Sequence, residues 1–140
     1  MALKNHTSIC DKNAAQIVSK DKGNPQYHKG FNHTAAYVTH YKIDGVVLKS
    51  GNKCDFLLMN ENTKTAYLIE LKGSDLVKAA QQLESTHAAL AQELSGYTMQ
   101  YRIVANKCKT QEIHSCAYRK YQIRWKGRLV QKTGFIEERV

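Results

Sequence analysis

Two apolar runs, residues 54–59 (CDFLLM) and 65–71 (TAYLIEL), joined by the polar segment NENTK, constrain this chain more than any other feature. Each run is short, rich in apolar, branched or aromatic residues, and bounded by turn formers, which reads as a β-hairpin. Apolar side chains occupy successive positions, so both faces of these strands are expected to be covered. With Asn60 facing Thr65, the register brings Asp55 opposite Glu70. Opposed residues on antiparallel strands share a face with their β-carbons roughly 5 Å apart, and two like charges there repel. Acids inside covered strands need a partner or a function. Lys72, two residues beyond Glu70, projects from the same face for as long as the strand persists. A divalent cation would relieve the repulsion, and Mg²⁺ takes one or two protein carboxylates while water and phosphate complete its shell.

Asp55 followed by Glu70-Leu71-Lys72 resembles the core signature of the PD-(D/E)xK nuclease superfamily, which includes restriction endonucleases and archaeal Holliday-junction resolvases; Cys54 stands where the signature has proline. The resemblance implies a restriction-endonuclease-like α-β-β-β-α-β core, a central mixed sheet flanked by helices, over residues 30–105. It implies a hydrolase, an endonuclease or exonuclease dependent on Mg²⁺ (or Mn²⁺). Asp55 and Glu70 would be the metal ligands, and Lys72 the residue that orients the attacking water. Several branches place a glutamine on the helix after the signature, for which Gln81 and Gln82 are the candidates. Many members also carry a glutamate on the first core helix. Here the first Glu of the chain is Glu61, inside the hairpin turn. Asn32 or His33 stands nearest that role by position, with Asp11, Asp21 or Asp44 as substitutes if the helix is misassigned. This departure admits a second reading, a catalytically degenerate module that binds nucleic acid without cutting it.

Around the hairpin, residues 13–20 (NAAQIVSK) read as a short helix ended by Gly23-Asn24-Pro25. Residues 30–41 read as a second helix and residues 43–48 as the first strand of a meander. The segment 74–95 carries Leu76, Ala80, Leu83, His87, Leu90 and Leu94 at steps of three and four, the stripe of a helix lying on a sheet. Ser74 suits its N-cap and Gly96 its end. His87, on that stripe, reads as a packing histidine. Residues 99–105 alternate as a further strand, 111–125 suit another helix, and 128–136 a last strand or sheet edge.

The chain of 140 residues suits one nuclease-like domain, its core at about 30–105 and a basic helix and strand at about 106–140. Lys and Arg number 21 against 12 Asp and Glu, a formal net charge of +9, which favours a polyanionic partner. The excess gathers late: between residues 101 and 132 lie Arg102, Lys107, Lys109, Arg119, Lys120, Arg124, Lys126, Arg128 and Lys132, with Glu112 the sole acid. Arg119, Lys120, Arg124, Lys126 and Arg128 are the candidate nucleic-acid contacts. Tyr101, Tyr118, Tyr121 and Trp125, interleaved with them, either pack in the core or stack on bases. DNA is favoured over RNA as the partner, with structure or ends as targets, since so small a chain has little room for a base-reading domain. An RNA-directed nuclease and a basic adaptor whose hairpin acids form ordinary ion pairs are the competing readings. Analogy with small nucleases that need two sites suggests a homodimer. No run is long enough to span a bilayer, and the first residues lack the pattern of a secretory signal, so a cytoplasmic location is expected. The four cysteines form no CxxC pair and read as free thiols; Cys108, His114 and Cys116 are too irregularly spaced for an obvious zinc site.

Overall fold

The computed structural model describes residues 3–107 and 110–140, and at Lys72, Gly73 and Thr110 the backbone alone. In chain order the elements are β1 (Gln16–Lys20), β2 (Tyr27–Phe31), β3 (Val38–Lys42), β4 (Phe56–Asn60), β5 (Thr65–Gly73), α1 (Leu76–Ala89), β6 (Thr98–Ala105), α2 (Thr110–Ile113), α3 (Cys116–Arg124), β7 (Leu129–Thr133) and β8 (Phe135–Arg139). Five strands form a mixed sheet in the order β3-β4-β5-β6-β7 and three form a smaller sheet in the order β1-β2-β8. The meander β3-β4-β5 is antiparallel, whereas β6 runs parallel to β5 and β7 parallel to β6. A parallel neighbour requires a crossover, which α1 supplies between β5 and β6.

The large sheet is covered on both sides, as its apolar strands require. On one face Leu57, Met59, Leu68 and Ile103 pack with Leu76, Ala80 and Leu83 of α1 and with Tyr118 and Tyr121 of α3. On the other, Leu58, Tyr67, Ile69, Leu71 and Val104 meet Ile17 and Ile136 of the small sheet. Among the described residues no helix is long and apolar enough to cross a membrane.

The first third of the chain departs from the sequence reading. Residues 13–20 and 30–41 contribute β1, β2 and β3 and not two helices, so the meander is preceded by a strand hairpin. The inward positions explain the misreading. In β2 they are His28 and Gly30, and in β1 Ile17 alternates with the buried Ser19, so no apolar period of two is visible. Gly30 is small because the sheets approach closely there: a Cβ on it would lie 2.8 Å from Val140 Cγ1 and 3.1 Å from Leu58 Cδ2. Gly30→Ala is therefore expected to lower stability by about 1–3 kcal/mol through overpacking, and Val140→Ala in the same chain to restore most of the loss in urea unfolding. Full destabilisation persisting in the double variant would refute that contact as the cause.

Residues 43–48 form a turn, not a strand. Gly45 takes φ +80° and its amide donates to the Leu48 carbonyl at 2.9 Å, leaving Val46 exposed. The expected helix over 111–125 is divided because Ser115 caps α3, accepting from the Tyr118 amide at 3.2 Å and donating to the Glu112 carbonyl at 2.9 Å. Helix α1 begins one residue later than expected, with Asp75 and not Ser74 as its N-cap, and stops at Ala89 well before Gly96. Leu90 and Leu94 nonetheless stay buried, so the apolar stripe outlasts the helix. The last segment supplies β7 at the edge of the large sheet and β8 in the small one.

Between the sheets lies a polar layer. His40 Nε2 and Ser19 Oγ are 2.8 Å apart, and the ring stacks on Phe56 at 5.2 Å. Burial, with a contribution from His28, lowers the His40 pKa to about 4. The folded state thus holds His40 neutral while the unfolded chain protonates it near 6.5. Its contribution is intact above pH 6.5 and is lost as the pH falls from there towards 4. Wild type is expected to lose about 2 kcal/mol between pH 7 and pH 5 from this group alone. His40→Gln should flatten that slope in denaturant unfolding across the same range; an unchanged slope would remove His40 as its origin.

Candidate functional site

The site is built where β4 begins and β5 ends. The ladder between them runs from Asn60↔Thr65 to Phe56↔Ile69, the register read from the sequence, so Asp55 and Glu70 are the next pair beyond the last rung. Both are buried, at 3% and 4% exposure. The ladder slips at this point, because the Asp55 amide donates to the Ile69 carbonyl at 3.1 Å while its own carbonyl accepts from the Ile43 amide at 2.8 Å. The Asp55 carboxylate in turn accepts from the Leu71 amide at 2.8 Å. Helix α1 fixes the approach to Asp55: Thr86 Oγ1 accepts from the Cys54 amide at 2.8 Å, and Gln82 Nε2 donates to the Lys53 carbonyl at 3.2 Å. The Cys54 thiol senses both acids. Burial chiefly drives its pKa upward, and the charges of Glu70 and Asp55 raise it further against the opposing hydrogen bond with Thr86.

Lys72 lies at an irregularity. Leu71 pairs with Val104 and Gly73 with Ala105, so β5 carries one extra residue between them and strict alternation from Glu70 does not extend to Lys72. Its side chain is outside the described residues.

Asp55 opens onto a cleft of about 610 Å³, whose other walls are the β1–β2 turn (Asp21 to Gln26), Lys42 at the end of β3, Asp44 just after it, and Asn106 after β6. Within it Lys42 pairs with Asp21 at 2.9 Å while lying 4.9 Å from the centre of the Phe56 ring, and Gln26 Nε2 donates to Asn106 Oδ1 at 3.2 Å. Asp44 reaches Lys53 at 3.5 Å. Asp21 and Asp44, considered from sequence only as substitutes for a helix acid, are thus neighbours of Asp55 in the cleft. Lys22, Lys42 and Asn106 were missed. Gly23-Asn24-Pro25 carried the signal, had it been read as a hairpin turn instead of a helix stop.

Asn32 and His33 are not part of this site. Val38 pairs with Asn60, at the opposite end of the sheet from Phe56, and the loop before it is where Asn32 bonds the Ala36 backbone at 2.9 and 3.0 Å and the Ala14 carbonyl at 3.0 Å. His33 is exposed there. Gln81 is exposed on α1, so of the two glutamines only Gln82 reaches the strand leading into Asp55. His87 packs as expected, its Nδ1 2.9 Å from Tyr101 Oη.

The four aromatic residues interleaved with the basic stretch belong to the core: Tyr101, Tyr118, Tyr121 and Trp125 are all buried, with Tyr101 and Trp125 stacked at 4.0 Å. Arg119, Lys120, Lys126 and Arg128 are exposed, while Arg124 forms an ion pair with Glu84 of α1. The Arg128 carbonyl accepts from the Tyr101 amide, four residues before the Ala105 end of β6, so Arg128 lies roughly 13 Å along the sheet from the cleft end. Nearer the cleft, Lys22 and Lys107 are exposed.

Among the described residues no group of three or more His, Cys, Asp or Glu side chains is arranged to hold a metal ion. Asp55 at the cleft wall, with Glu70 at the same end of the β4/β5 ladder, nevertheless suits an oxygen-loving cation that draws its remaining ligands from water and phosphate. In comparisons with known proteins, no family model, no curated protein and no solved structure matches this chain.

Proposed function

We infer that this protein is a metal-dependent nuclease of the PD-(D/E)xK type that hydrolyses phosphodiester bonds, with DNA cut at structures or ends as the favoured substrate. One observation carries the reading: the β4/β5 register brings Asp55 and Glu70 to one end of two buried strands, where Asp55 lines an open cleft. The order of meander, crossover helix and parallel strand also suits a restriction-endonuclease-like core, with the β1–β2 hairpin standing where that core has its first helix.

Asp55 and Glu70 would hold Mg²⁺ or Mn²⁺. The bound ion would neutralise phosphate charge and lower the pKa of a water. The chain's own contribution is rigidity: the Leu71 amide orients the Asp55 carboxylate, and Thr86 with Gln82 holds the backbone before it. Lys72 is assigned to water positioning, and exposed lysines supply salt-sensitive phosphate contacts.

The test is cleavage of linear, branched and single-stranded DNA and RNA with Mg²⁺ or Mn²⁺, comparing wild type with Glu70→Ala and Lys72→Ala. Activity in wild type and its loss in both folded variants is the expected result. One observation favours a second reading, a binding module of the same fold: the first helix that carries the extra acid in many nucleases is replaced by strands here. Tight, salt-sensitive binding with no cleavage under any condition would favour that module.

A further inference from the structure

The outer face of the small sheet is unlike the surface first assigned to nucleic acid. Its outward positions are Gln16, Val18 and Lys20 of β1, Tyr27, Lys29 and Phe31 of β2, and Phe135, Glu137 and Arg139 of β8, aligned in rows across the three strands. One row is Lys20, Tyr27 and Phe135, the next Val18, Lys29 and Glu137, the third Gln16, Phe31 and Arg139. Tyr27 and Phe135 stack with centroids 5.5 Å apart and planes 9° from parallel, and Phe135 remains 51% exposed. Lys29 Nζ lies 5.8 Å from the Tyr27 ring centre. Each row thus carries a cation, and two of them carry aromatic rings. Glu137 is the one acid among these nine positions, and it accepts a hydrogen bond from Tyr27 Oη at 2.7 Å.

We propose that this face is a stacking platform for single-stranded nucleic acid that leads into the Asp55 cleft. Exposed flat rings offer surfaces for unpaired bases, and flanking cations meet the phosphates between them. A duplex keeps its base faces stacked inside and cannot use the rings. The row of Lys20, Tyr27 and Phe135 is the one next to the β1–β2 turn, and that turn is a wall of the cleft. Phe135 also follows Gly134, whose amide bonds the Ala105 carbonyl at 3.0 Å beside the cleft residue Asn106. A strand lying across the rings therefore reaches the carboxylates without leaving the protein surface. Delivery to a cutting site rests on the nuclease reading; binding on the platform does not.

Binding is measured by fluorescence anisotropy of fluorescein-labelled oligo-dT and oligo-U without divalent metal at fixed salt. Phe135→Leu keeps the apolar bulk and removes the ring. It is expected to weaken the tighter of the two complexes about tenfold, as is Tyr27→Leu, while Tyr27→Phe binds as wild type and thermal unfolding shows each variant folded. Affinity for a blunt DNA duplex should be unchanged by Phe135→Leu. Lys29→Ser and Arg139→Ser should each reduce the slope of log affinity on log salt by about 0.7. Unchanged single-strand affinity in both leucine variants, or an equal loss on duplex, would overturn the platform. Ring-dependent binding by a protein that cuts nothing would remove the nuclease reading and leave the platform standing; metal-dependent cleavage with ring-independent binding would do the reverse.

Discussion

Arg102→Met is expected to lower the unfolding free energy by about 3–5 kcal/mol, the largest stability effect of any single change considered. Arg102 is 6% exposed, and its Nε and Nη2 donate to the two carboxylate oxygens of Glu138 at 2.6 and 2.9 Å. Nη1 donates to the Tyr101 and Arg128 carbonyls at 2.9 and 2.7 Å. Methionine fills much of the volume but leaves those acceptors unmet and Glu138 with only His28, at 2.8 Å. The acid limb carries the signature. Burial pushes the Glu138 carboxyl up, but hydrogen bonds from His28 and Arg102 outweigh it and bring the pKa down to about 2 from 4.5. A depressed carboxylate stabilises the fold above pH 4.5 and loses that contribution as the pH falls towards 2. Losing the guanidinium should shift this acid transition to higher pH. Arg102→Met with Glu138→Gln should recover part of the loss, since no buried charge is left unmatched. Urea unfolding at pH 7 and pH 4 measures both effects, and a wild-type midpoint in the single variant would contradict the buried pair as a keystone.

Asp55→Asn is expected to reduce metal-dependent cleavage about a thousandfold while leaving the protein folded. The amide keeps an oxygen that can accept from the Leu71 N–H, so the local backbone retains its anchor. It removes the charge that a cation needs, and the lost transition-state stabilisation of several kcal/mol corresponds to about three decades in rate. Asp55→Ala would add the cost of an orphaned buried amide, about 1–3 kcal/mol, and would mix folding with catalysis. Single-turnover cleavage with Mn²⁺ and Mg²⁺, beside the urea midpoint, separates the two. Wild-type rates in Asp55→Asn would make the hairpin acids ordinary charges and put the cleavage site elsewhere on the protein.

The pair at residues 55 and 70 was legible because everything defining it is local. The hairpin turn fixes the register, and apolar residues on both faces of 56–59 and 66–71 announce a central position. Lys72 was less so, since the extra residue in β5 is defined only against Val104 and Ala105 of β6. The first three strands were illegible for another reason. Their inward residues include His28, Ser19 and His40, buried because each meets a partner distant in sequence, and Gly30, buried because Val140 lies against it. A period of two built from such residues looks like a polar segment. The basic C-terminal stretch was correctly seen as cationic, yet its best-placed arginine, Arg102, faces inward, and its tyrosines and tryptophan serve the core.

The small sheet also imposes an order of assembly. Its middle strand, β2, pairs with β8, and His28 meets Glu138 across a separation of 110 residues. The hairpin β1–β2 leaves the ribosome early but waits for nearly the whole chain before its second neighbour exists. The meander, α1 and β6 depend mostly on nearer partners and can close first. The inter-sheet layer, with the wall of the cleft attached to it, is then the last part to form. In the finished protein, amide hydrogens of β1, β2 and β8 should exchange together, ahead of those in β4 and β5.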